Sequence, residues 1–126
     1  MNEADLAWET FEFHCYNVTS LENTHIQNVA KFSMIRDGKF HGSKSEACNF
    51  LNSMLSCLDK LIATYNKQII SIKEIVLLNK SDREILKKRG VQLHSLHTLL
   101  NTVSTLSEEM NKFKGEVKRF KLDFLI

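Results

Sequence analysis

The apolar positions of the chain recur at steps of three and four over most of its length, and nowhere more regularly than from Ser45 to Asn79. Placed in heptads with Ala47 at d, the a positions of this stretch are Leu51, Leu58, Tyr65, Ile72 and Asn79, and the d positions are Ala47, Met54, Leu61, Gln68 and Ile75. Only Gln68 and Asn79 interrupt the apolar seam. The e positions Cys48, Leu55, Ile62, Ile69 and Val76 widen it, while b and c carry Asn52, Ser53, Asp59, Lys60, Asn66, Lys67, Lys73 and Glu74. A stripe that takes in a, d and e is too wide for a two-stranded seam and belongs to a helix clasped by two or three others. The rest of the chain is expected to pack around it.

Upstream, the pattern predicts a first helix over about residues 2–36, capped by Asn2, with Glu3 and Asp5 in the first turn where the helix dipole favours negative charge. Its apolar positions run Ala4, Trp8, Phe11, Cys15, Val18 and Leu21, then Ile26, Val29 and Phe32 after an irregular step that puts His25 near the seam. That step predicts a kink or a change of packing partner. Asp37-Gly38 and Gly42 mark a loop over residues 37–42. Ser43-Lys44-Ser45-Glu46 then has the capping-box spacing that opens a second helix, over residues 43–79.

The same device at Ser81-Asp82-Arg83-Glu84 starts a third helix at residue 81. This helix carries Leu93, Leu96, Leu100, Val103, Leu106, Met110, Phe113, Val117, Phe120 and Phe124 on to residue 125, with one phase slip between Leu100 and Leu106. Gly90, directly after Lys87-Lys88-Arg89, is the hinge candidate inside it. The fold class these readings give is all-α, a single domain forming an antiparallel up-down-up bundle of three long helices with coiled-coil-like packing. Composition agrees, since 126 residues without proline and with four glycines favour long uninterrupted helices. Charge adds the topology: residues 1–30 hold Glu3, Asp5, Glu9, Glu12 and Glu22 and no lysine or arginine, while Lys80, Arg83, Lys87, Lys88 and Arg89 crowd the end they face.

A third helix of this length outruns the second by roughly 13 Å at 1.5 Å per residue. The overhang would carry Phe120, Leu122, Phe124, Leu125 and Ile126, which point to more than one face and mark a candidate interface. The competing reading is that Phe40 of the loop folds over Phe120 and Phe124 and caps the bundle. Phe50, Cys57, Ile70, Leu77 and Leu78 lie outside the main seam and suit a fourth helix supplied by a partner or by a second copy. The candidate partner-binding residues are therefore Phe120, Leu122, Phe124, Leu125, Ile126, Phe50, Ile70 and Leu77.

A net charge of +2 is too thin for a nucleic-acid partner. Cys15, Cys48 and Cys57 are an odd set within apolar stripes, which reads as reduced thiols in a reducing compartment, cytoplasmic or nuclear. The first residues lack the basic and apolar regions of a signal peptide, and the longest apolar run, Ile75 to Leu78, falls far short of the ~20 residues of a membrane span. Lys118, Arg119 and Lys121 lie among aromatics, but Glu116 and Asp123 dilute them and disfavour a membrane surface.

Catalytic and metal chemistry find no foothold. Glu22-Asn23-Thr24-His25 has the spacing used by di-iron bundles but lacks the second motif, and His94 with His97 lacks a third ligand. His14 and Cys15 are adjacent on a helix, about 100° apart, and cannot pair as base and nucleophile. No phosphate loop, nucleophile elbow or pair of buried carboxylates is present. The expectation is a non-enzymatic interaction, adaptor or scaffold subunit of a larger intracellular complex, with no cofactor and with protein partners that supply helices. The alternative is a homo-oligomeric structural helical protein, and the third reading is a peripheral membrane-binding helical module.

Overall fold

The structure, a computed structural model, describes residues 2–126 and is helical throughout, with four helices packed against one another. They are α1 (Glu3–Arg36), α2 (Lys44–Val76), α3 (Lys80–Lys88) and α4 (Leu93–Leu125). The predicted count of three helices is corrected to four, because the predicted third helix is broken between Lys88 and Leu93.

The break has a local cause. Arg89 is the C-cap of α3, and Gly90 follows it at φ +88°, in the left-handed region that costs a residue with a side chain roughly 1 kcal/mol or more. The Gly90 amide donates to the Lys87 carbonyl and the Val91 amide to the Leu86 carbonyl, both at 3.0 Å, which is the paired closure of a Schellman motif. Val91 and Leu86, the two residues joined by the second of these bonds, also share one apolar cluster. Gly90 is thus a helix terminator rather than a hinge. The same closure ends α1, where Gly38 has φ +74° and Lys39 donates to Met34.

Caps set the other boundaries. Asn2 Oδ1 accepts from the Asp5 amide at 2.8 Å, and Ser43 Oγ accepts from the Glu46 amide at 3.0 Å, as the spacing predicts. At the third start, Asn79 rather than Ser81 is the cap: its Oδ1 accepts from the Asp82 amide at 2.9 Å. An asparagine two residues upstream claims the role first, so α2 stops at Val76 and Ser81 falls inside α3.

α2 is the common partner, and α1 and α4 each pack along it far more closely than their backbones approach one another. Every a and d position of α2 from Ala47 to Ile75 is buried. Three apolar clusters follow its length. Ala4 and Phe11 meet Ile72, Ile75, Leu86 and Leu96 at one end. Val18 meets Leu61, Tyr65 and Val103 in the middle. At the other end Phe32 meets Leu51, Met54, Leu58 and Val117. The low numbers of α1 thus lie beside the high numbers of α2 and the low numbers of α4.

Two sequence irregularities disappear. α1 is one unbroken helix through the irregular step, and Ala4, Phe11, Val18, His25 and Phe32 recur along it every seven residues; Ile26, assigned to the seam, is exposed. In α4 the positions Leu96, Leu99, Val103, Leu106, Met110, Phe113, Val117, Phe120 and Phe124 alternate steps of three and four without a slip; Leu99 packs on two clusters and Leu100 on the first alone. The overhang is also withdrawn: α1, α2 and α4 span 34, 33 and 33 residues, because the break removes the surplus length.

Candidate functional site

The C-terminal candidates divide by ring against chain. Phe120 and Phe124 belong to the core at the loop end: Phe32 meets Phe120 edge-to-face at 5.3 Å, and Phe120 stacks on Phe124 at 5.7 Å. Lys44 stands over the Phe124 ring. Both rings are half-buried and pack on the chain's own core. Leu122, Leu125 and Ile126, from the same turns, are 66%, 51% and 100% exposed. Phe40 does not cap this cluster. It lies beside Gly42, where an added Cβ would sit 2.5 Å from its ring, and under the Lys31 ammonium.

The residues outside the predicted seam of α2 divide as well. Phe50 packs against the loop-end cluster, with Lys31 4.7 Å from its ring centroid; Cys57 is buried and Leu78 packs on the opposite cluster. All three thus make contacts within the chain's own bundle, Phe50 and Leu78 while half-buried. Ile70 and Leu77 do face outward, seven residues apart on one line of the helix, and Leu77 is 83% exposed.

Polar groups inside the bundle concentrate in its middle. Tyr65 donates its hydroxyl to Glu22 Oε2 at 3.0 Å, and burial together with that carboxylate pushes the phenol well above its usual range. Gln68 donates through Nε2 to Cys15 Sγ at 3.4 Å, while its Oε1 has no partner. Burial raises the Cys15 thiol despite this hydrogen bond, and burial raises Cys57 too, so both stay protonated and weakly nucleophilic at neutral pH. His25 lies edge-on to Phe113 with Nδ1 unpartnered, and burial lowers its pKa against the opposing pull of Glu22. No group of three or more metal-ligand side chains occurs among the described residues, and no helix there is long and apolar enough to cross a membrane.

Compared with protein-family models, with curated proteins and with solved structures, the chain finds no match.

The α3 end holds features that the sequence reading passed over. A pocket of about 360 Å³ opens between α3 and the start of α4, floored by Ile75, Leu86 and Leu96 and rimmed by Lys80, Arg83 and Lys87. On the outer face of α1, Leu6, Phe13 and Tyr16 are exposed, the two rings at 61% and 76%. The signal for them was their spacing, since Leu6, Glu9, Phe13 and Tyr16 form an i, i+3, i+7, i+10 line on the side away from Ala4, Phe11 and Val18. The predicted meeting of acidic and basic ends takes a concrete form here: Arg89 Nη1 lies 2.7 Å from Asp5 and Nη2 lies 3.9 Å from Glu12.

Proposed function

We propose that the chain is a non-enzymatic interaction subunit, a helical scaffold that joins a larger assembly through apolar side chains its own core leaves bare. The observation that carries this reading is the division of the last turns of α4, in which Phe120 and Phe124 complete the core while Leu122, Leu125 and Ile126 face outward. A finished seam has no structural use for three further aliphatic groups. Their burial in an interface would contribute roughly 1.5–3 kcal/mol each. Ile70 and Leu77 supply a second bare line, on α2, of the kind a partner's helix covers.

Deleting residues 118–126 would remove Phe120 and Phe124 with the tail and confound association with unfolding. Substitution of Leu122→Ser and Leu125→Ser separates them. In about 0.5 M salt, where contacts between exposed charges are screened, the mass of the parent chain should rise above 14.6 kDa with concentration, while the doubly substituted chain stays at 14.6 kDa and melts at the same temperature. Association that survives the double substitution, or an early melt, would contradict the reading. Survival as a fixed multiple of the chain mass would favour the homo-oligomeric structural protein instead.

A further inference from the structure

We propose that the α3 end is a self-recognition surface: the pocket between α3 and α4 receives the Leu6-Glu9-Phe13-Tyr16 stripe of α1 from a second copy of this chain. The inference does not rest on the reading of the C-terminal residues, which lie at the opposite end of the bundle.

The two surfaces fit in charge and in polarity. Lys80, Arg83 and Lys87 stand at i, i+3 and i+7 of α3, so they share one face and rim the pocket together. Among the described residues none of the three forms an ion pair, whereas Arg89 is engaged by Asp5 and Glu12 of its own chain. Glu84 is the acid in the lining. The rim thus keeps a cationic excess over an apolar floor. A volume of about 360 Å³ is at the small end of ligand pockets, which suits inserted side chains rather than a whole helix.

The stripe is the counterpart. Its spacing is that of helix anchors read by a groove, and it runs about 15 Å along α1. Two of its four residues are large exposed rings, and tyrosine in particular is enriched where proteins meet. Glu9 lies within the line. Residues 2–30 bring no lysine or arginine to oppose the cationic rim, and Glu3 and Glu9 are exposed. Pocket and stripe lie at the same end of the bundle, near the cluster of Ala4, Phe11 and Leu86. Two copies related by a two-fold axis can therefore each give and receive, which closes the assembly at two copies instead of an open chain. An acidic helix from another protein could enter the same pocket, but it would leave Phe13 and Tyr16 bare.

The test uses the full chain carrying Leu122→Ser and Leu125→Ser, so that its failure leaves the reading of the C-terminal end standing. Light scattering at about 50 mM salt should show the mass rising toward twice 14.6 kDa with concentration, and about 0.5 M salt should reverse it. Arg83→Glu/Lys87→Glu and, separately, Phe13→Ser/Tyr16→Ser should each weaken association by about tenfold or more without moving the melting temperature. An equimolar mixture of these two variants should associate again, because each supplies the surface the other lacks. A chain that stays monomeric at every concentration, a variant that associates like its parent, or a mixture that stays monomeric would overturn the proposal. A monomer that binds only an added acidic amphipathic peptide would overturn it in favour of a foreign partner.

Discussion

The two ends of the bundle face one geometric problem and answer it differently. α1 and α4 both lie along α2, yet their backbones stay apart, so the space between them must be filled by something else. At the loop end, rings fill it: Phe32 of α1 meets Phe113 and Phe120 of α4, both edge-to-face, at 5.9 and 5.3 Å. At the other end a short helix fills it, as α3 packs against α1, buries Leu86, and is tied to α1 through Arg89 and Asp5. The first answer is rigid, because each ring belongs to a 33- or 34-residue helix and cannot leave without it. The second is local. A helix of nine residues has little stability of its own, and this one buries a single side chain fully.

If this contrast is right, substitutions at the two ends differ in size. Phe32→Ala should cost most, about 3–5 kcal/mol, because it leaves a cavity that no flexible element can close; urea denaturation measures this, and a cost under about 1.5 kcal/mol would mean the rings do not bridge the gap. Leu86→Ala should cost about 2–3 kcal/mol, toward the low side for a buried leucine, because α3 can resettle over the hole.

Gly90→Ala sharpens the origin of the second answer. It forces a side chain into φ +88° and should destabilise by about 1 kcal/mol, whereas Gly115→Ala, inside α4 with open space at its Cβ, should stabilise by up to about 1 kcal/mol. Equal effects in thermal melts would remove the Schellman closure as the cause of the break.

A smaller effect belongs to His25, which sits where the rings begin. Its folded pKa is lowered, chiefly by burial, so the unfolded state binds its proton first. The contribution to stability is whole above the ordinary imidazole value of about 6.5 and declines as pH falls below it. The melting temperature should drop between about pH 7.5 and 5, and by less in His25→Leu; parallel profiles for the two chains would show that His25 is not the group responsible.

What could be read from the sequence was the face each helix buries. Leu51, Met54, Leu58, Leu61, Ile72 and Ile75 were legible because apolar residues hold every decisive position there. α1 was misread at one place for the converse reason: its fourth inward position is a histidine, and neighbouring Ile26 looked the better core residue. In α4, Leu99 and Leu100 are adjacent and equally apolar, so the sequence does not choose between them. Asn79 and Ser81 compete as caps, and only the backbone decides. Lys87-Lys88-Arg89-Gly90 was a legible helix end, with basic residues in the last turn and glycine beyond, and reading it as a hinge missed α3. The distance between α1 and α4 was not legible at all. Heptads specify a direction from the helix axis, not how far away the neighbour stands, so the seam of the last helix includes Phe120 and Phe124 without showing that Phe120 reaches across to Phe32.

The central claim is that one end of this bundle is closed by rings and the other by a helix that opens on its own. Native-state hydrogen exchange tests it most directly. Amides of α3, residues 80–88, should exchange through a local opening well below the global unfolding free energy, while those around Leu51 to Leu61 exchange only with global unfolding. Protection of α3 that rises and falls with global stability, equal to that of α2, would contradict the account.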